Sequence, residues 1–158
     1  MKDMKHSGMK SMYLNLAIMA VLSFISMYVF MYMMVDRFAD VYPNVNQFYM
    51  AGLMTAPMII IEIFVMWSMY HNKMINLVIA AVSVVLLVLF TAGLRNQTAV
   101  SETQFLKSMI PHHSGALLMC DNSNIQDAEI KNLCRGIASS QQSEIDWMKQ
   151  KLKELESK

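Results

Sequence analysis

The stretch Ser101-Glu-Thr-Gln-Phe105-Leu-Lys-Ser-Met109-Ile-Pro-His112-His113-Ser-Gly-Ala116-Leu-Leu-Met119-Cys120 opens with a helix start and continues at helical spacing. Ser101 with Gln104 three residues on has the form of a capping box, so Ser101 is the expected N-cap. Phe105, Met109, His112, Ala116 and Met119 follow in alternating steps of four and three, one stripe of a helix over about residues 101–122. A second run, Ile130, Cys134, Ile137, Gln141, Glu144, Ile145, Met148, Leu152 and Leu155, has the same period behind Asp127, a good N-cap, and predicts a helix over about 127–156. The Asn-rich segment 122–127 is the turn. Folded back antiparallel about it, facing residues have numbers totalling about 253. Phe105 then meets Met148, Met109 meets Glu144, His112 meets Gln141, Ala116 meets Ile137, and Cys120 comes level with Cys134.

Upstream of this hairpin the composition changes. Of the 25 charged residues in the 158-residue chain, 16 lie in residues 95–158, whereas 15 of the 18 Met lie before residue 95. Three runs there, 12–35, 48–70 and 74–94, reach the roughly 20 apolar residues that a bilayer-spanning helix needs. The first run is too long for a secretory h-region and lacks a small-x-small cleavage site, so it is expected to be retained. Lys2, Lys5 and Lys10 before the first span, with His71 and Lys73 between the second and third, place the N-terminus in the cytoplasm. An odd number of spans then delivers the hairpin to the periplasmic or extracellular side. The expectation is an all-α chain: a membrane domain over residues 1–94 and an exported helical hairpin domain over 95–158. The connection 36–47 reads as an ordinary polar loop. A net charge of +1 excludes a strongly basic nucleic-acid binder, and two Cys without a CxxC exclude a zinc ribbon or thioredoxin-like motif.

Within the second span Glu62 stands amid apolar sequence, where a carboxylate by default signals function. Met58, Glu62, Met66 and Met69 share an arc of roughly 80° on a helix, a face that could carry a soft cation such as Cu(I) or Ag(I). Met as adaptable filler of a bundle core is the favoured alternative, because Met is spread around the first span as well.

In the hairpin, Met109, His112, His113, Met119 and Cys120 fall within roughly 120° of arc. They offer thioether, imidazole and thiol donors of the kind that suits copper or silver. Gln141 or Glu144 could accept the second ring N–H of a ligating His. Adjacent His differ by about 100° around a helix, so His112 and His113 are not expected to share one ion, and a hydrogen-bonded His–Gln–Glu core layer is the competing account. Pro111 should kink or restart the helix. Cys120 and Cys134 admit three readings: a disulfide, a pair of thiolate ligands, or small seam residues. Helix axes about 8–10 Å apart weigh against the first.

The elements Phe105-Leu-Lys-Ser-Met109-Ile-Pro-His112-His113-Ser-Gly-Ala116 and Ile137-Ala-Ser-Ser-Gln141-Gln-Ser-Glu144-Ile145-Asp-Trp-Met148 resemble the bacterial domain-of-unknown-function family 305 over about residues 101–152. The apolar N-terminal part resembles that family's membrane-anchored branch. The resemblance implies a ferritin-like helical bundle, export, an association with copper or heavy-metal resistance, and Met109, His112, His113, Met119 and Met148 as metal candidates. Ser114-Gly115 departs from the Gln-Gly common in soluble members, and the inter-helix connection is shorter.

The resulting expectation is a membrane-anchored protein that captures Cu(I) or Ag(I), with Cu(II) also considered, at the outer face of a bacterial cytoplasmic membrane. The alternative is a structural module that oligomerises or partners a transporter or metal chaperone. No nucleophile–base pair and no Glu-x-x-His di-iron pattern stand in the sequence, so an enzyme is not expected. A lone hairpin of this size exposes most of its seam, which predicts a homodimer.

Overall fold

The computed structural model describes the backbone of residues 2–157 and the side chains of residues 11–157. Five helices follow one another: α1 Lys2–Phe30, α2 Val45–Val65, α3 Lys73–Arg95, α4 Glu102–Asn122 and α5 Ala128–Glu156, with short 3-10 turns at Met31–Met34 and Phe38–Asp40 between α1 and α2. No strand occurs among the described residues. The stretches Ser11–Met34, Val45–Val65 and Lys73–Arg95 are long and apolar enough to cross a membrane. The side chains of Lys2, Lys5 and Lys10, on which the expected orientation rests, lie outside the described residues.

The chain divides into two compact units, Met1–Val29 with Phe48–Thr98, and Phe30–Gln47 with Ala99–Lys158. In the first, the apolar helices meet through close aromatic packing. Phe24 and Phe90 both set their rings edge-on to Phe48, at 5.1 and 5.9 Å between centroids. The Phe90 ring packs directly on buried Gly52, where a Cβ would come within 2.5 Å of it. Toward the α2–α3 turn, Tyr13 donates to Asn76 Oδ1 at 2.7 Å, and the fully buried Asn76 donates to the Tyr70 carbonyl at 3.0 Å.

α2 stops at Val65, five residues short of the expected end. The turn beyond it is held by Lys73, whose Nζ reaches the Trp67 carbonyl at 2.5 Å and lies over the Trp67 ring, while Asn72 caps α3 through Met74 and Ile75. Met66–Tyr70 is as apolar as the helix before it, so hydropathy alone does not reveal the turn. α3 ends in a Schellman-type closure, with Thr98 N–H on the Gly93 carbonyl and Gln97 N–H on the Leu94 carbonyl. Gln97 takes the left-handed conformation (φ 50°) that this closure requires.

In the second unit, the hairpin forms with the expected caps. Ser101 accepts from Gln104 N–H, and Asp127 accepts from Glu129 and Ile130 N–H. The buried core is Leu106, Ile110, Leu117, Ile145, Met148 and Leu152, with Tyr42, Met109, Ala138 and Leu155 packed against it. The seam of α4 is therefore Leu106, Ile110, His113, Leu117 and Cys120, one residue later than the expected stripe of Phe105, Met109, His112, Ala116 and Met119. Phe105 and Met119 are half exposed instead. The antiparallel register agrees with the expectation at Cys120 and Cys134, which are bridged.

α4 is rotated because it has a second neighbour. Residues 30–47, expected to be a plain loop, pack on the α4 face that lies one residue past the seam. Ser114, fully buried, donates to Asp40 Oδ2 at 2.6 Å and accepts from Asp36 N–H at 2.9 Å. Lys149 of α5 pairs with the other oxygen of the buried Asp40 carboxylate. Gln104 accepts from Val45 N–H at 3.0 Å, and Asn46 donates to Ser108 at 3.2 Å. Gly115 lets the Met34 carbonyl approach to where a Cβ would lie 3.2 Å away.

Pro111 does not restart the helix, which runs unbroken from Glu102 to Asn122. Its missing N–H instead leaves the Lys107 carbonyl free of its usual partner, and Asn44 Nδ2 donates to that oxygen at 3.4 Å. The proline thus opens an acceptor for the strap formed by residues 30–47. Lys149→Met should leave Asp40 buried without its cation and lower the unfolding free energy by about 3 kcal/mol. Asp40→Asn with Lys149→Met should recover part of that loss in thermal unfolding of the detergent-solubilised chain.

Candidate metal centre

The expected donors separate onto different faces of the hairpin. Met148 is buried in the core, and Met109 is half-buried against it. His113 lies on the seam with 12% of its side chain exposed, and its Nδ1 stands 3.0 Å from Glu144 Oε2. That contact lacks hydrogen-bond geometry, so buried Nδ1 has no hydrogen-bond partner. Glu144 is itself held by Ser140, whose hydroxyl donates to Oε1 at 3.1 Å. Met109 and His113 are four apart on α4, as are Glu144 and Met148 on antiparallel α5. The pairs His113/Glu144 and Met109/Met148 therefore form successive layers about 6 Å apart.

The remaining candidates stand elsewhere. His112 is exposed on the outer stripe, its ring centroid 6.0 Å from that of His113. Met119 is also exposed on that stripe, nearly two turns further on. Cys120 and Cys134 form a disulfide with Cα atoms 5.3 Å apart, which removes both thiols as ligands and corrects the reading of them as thiolates or unlinked seam residues. Close to the five-residue turn the helices converge more tightly than typical packed axes, which is where the distance objection fails. Closing a loop of this length stabilises the hairpin by about 3 kcal/mol on the chain-entropy account.

The intramembrane face is broken. Met58 and Glu62 lie on α2, but Glu62 is in its last turn rather than mid-span, and Met66 and Met69 fall in the turn beyond it. Among the described residues no group of three or more His, Cys, Asp and Glu is placed to hold a metal ion. Gln141, expected beside His112, lies half-buried on the seam opposite His113. Sequence reasoning missed Asp40, Asn44, Ser114 and Lys149. Its only available signal was Pro111, which frees a carbonyl that something must satisfy.

Burial holds the His113 imidazole below its ordinary value of 6.5; Glu144 opposes that shift, and His112 adds to it. The neutral ring is the form that binds a metal. Since the folded pKa is below the unfolded one, the unfolded chain takes up more protons as pH falls past 6.5. His113 therefore favours the fold fully above that pH, and this advantage is lost as pH falls through the folded pKa. Wild-type protein should lose more thermal stability between pH 7.5 and pH 5 than His113→Gln does. Equal losses would assign the acid sensitivity to other groups.

Comparison with known proteins places this hairpin in a wider group. The family model described as Domain of unknown function (DUF305) matches residues 91–152. The chain is also 31% identical over 134 residues to "Uncharacterized protein L153" of Acanthamoeba polyphaga mimivirus, covering 83% of this chain and 86% of that protein. An alignment of that length necessarily takes in the strap, α2 and α3 as well as α4. No solved structure matches the chain. The likeness thus extends through nearly the whole architecture: the chain belongs to one family with the mimivirus protein and carries a DUF305 domain over residues 91–152.

Proposed function

We propose that the protein is a membrane-anchored binding protein, rather than an enzyme, that captures Cu(I) or Ag(I) on its exported hairpin for tolerance or for hand-off to a transporter or chaperone. The observation that carries this reading is the buried His113 imidazole, whose Nδ1 faces Glu144 at 3.0 Å without a hydrogen bond, one layer from Met109 and Met148. Buried polar atoms normally have partners, and a neutral imidazole beside two thioethers is a donor set suited to a soft monovalent ion. Glu144 would orient the ring. Cu(II) fits less well, because the second imidazole, His112, stands on another face and the cysteines are paired.

A second reading keeps the hairpin as a structural or interaction module, with His113 and Gln141 as a polar layer that fixes register. The absence of a three-residue cluster of His, Cys, Asp and Glu among the described residues favours it. Anaerobic Cu(I) titration of the full chain in detergent, in competition with a chromophoric chelator, separates the two. Under the metal reading His113→Ala and Met148→Leu each weaken binding by about tenfold or more, while His112→Ala and Met119→Leu leave it nearly unchanged. Unaltered binding by the first pair hands the hairpin to the structural reading.

The proposed location is the outer face of the cytoplasmic membrane. The strap and the hairpin belong to one compact unit while two spans, α2 and α3, lie between them in sequence. An even number of crossings returns the chain to the side it left, which supports strap and hairpin on one side, and the Lys-rich start supports the opposite side for the N-terminus. Ser157→Cys offers an unpaired thiol, since both native cysteines are bridged. A membrane-impermeant maleimide should label it in intact cells, and labelling only after lysis would reverse the orientation.

A further inference from the structure

We infer that the outer face of the hairpin is the contact surface for a second copy of the same chain, so that two hairpins close into a four-helix bundle. The face is defined by register. On α4 the stripe one residue before the seam is Phe105, Met109, His112, Ala116 and Met119; on α5 the corresponding stripe is Ile130, Leu133, Ile137, Ser140, Glu144 and Trp147. In an antiparallel pair of right-handed helices, positions one residue before the seam turn to the same side of the hairpin, and positions one residue after it turn to the opposite side. The second side carries the strap, through Ser114, Pro111 and Lys149. The first is open, with Phe105, Met119, Ile130, Leu133 and Trp147 between 49% and 62% exposed.

Both open stripes keep the three-and-four spacing that interlocks with another helix pair of the same kind. Charge decides for a second copy. Bridged residues Cys120 and Cys134 fix the levels within one hairpin, so Glu102 stands level with the turn of α5 that carries Lys151, and His112 is level with the turn that carries Glu144. A two-fold axis along the hairpin lays α4 of one copy over α5 of the other at unchanged height. It therefore brings Glu102 to Lys151, which pairs with Glu154 on its own exposed helix face, and His112 to Glu144, which also faces His113, with Phe105 at Trp147 and Met119 at Leu133. The alternative two-fold axis, across the hairpin, sets His112 against His112 and leaves Lys151 opposite Leu133. Because the strap occupies the other side, each copy has one such face, and a single isologous contact closes into a dimer rather than a filament.

Light scattering of the full chain, corrected for detergent, should give the mass of two chains at micromolar concentration, and Leu133→Glu with Trp147→Glu should give one chain with unchanged helix content. Independently, co-expressed chains carrying Phe105→Cys and Trp147→Cys under different tags should form a disulfide-linked heterodimer, whereas two Phe105→Cys chains should not link. The crosslink arm needs no disruptive substitution, so misfolding of the double Glu variant leaves the test intact. A wild-type mass of one chain, a two-chain mass that survives a folded double Glu variant, or no linkage between the two Cys variants would overturn the dimer. A one-chain mass with Trp147 emission that shifts on adding phospholipid vesicles would assign the face to a lipid surface instead.

Discussion

A carboxylate buried to 2% exposure, Asp40, joins parts of the chain that lie more than seventy residues apart: Ser114 and Lys149 bind its two oxygens. A buried charge is tolerated only when it is paired and hydrogen-bonded, so the strap must hold its place wherever the hairpin is folded. α4 then has a neighbour on each of two sides, and its orientation is set by both. The seam residues, the exposed stripe and the surroundings of His113 all follow from that orientation.

The strap also changes what the hairpin needs. An isolated helix pair leaves its core open on both sides. Here Tyr42 packs against the core and Asn44, buried to 5%, satisfies the carbonyl that Pro111 leaves free, so one side is closed by the chain itself. The strap is also the connection between α1 and α2, so the contact joins the hairpin to a segment that α2 and α3 separate from it in sequence. Ser114, the residue of the Ser-Gly pair that departs from the expected Gln-Gly, bridges Asp36 and Asp40, and Gly115 admits the Met34 carbonyl.

Much of this was legible in sequence where a local rule applies. The caps at Ser101 and Asp127, the two hairpin helices and the three apolar stretches each rest on spacing or composition within a short window, and they stand where expected within a few residues. The level of Cys120 with Cys134 was legible for the same reason, since it needs only a turn position and a rise per residue. The rotation of α4 was not. Phe105, Met109, His112, Ala116 and Met119 form as regular a stripe as Leu106, Ile110, His113, Leu117 and Cys120, and only the strap, remote in sequence, decides which one faces α5. The end of α2 was hidden because Met66–Tyr70 stays apolar while its carbonyls are taken by Lys73 and Asn76.

Two adjacent histidines are awkward for any single-site account, because about 100° separates them on a helix. Their separation becomes intelligible once α4 is seen to serve three faces. Pro111, Ser114 and Gly115 turn to the strap, His113 to the seam, and His112 to the open stripe. The run Pro111–Gly115 thus divides among three faces. His113 is dry, below its ordinary pKa, and beside Glu144 and the methionines; His112 is in water. A buried imidazole and an exposed one are next to each other in sequence because the helix turns them to different surroundings.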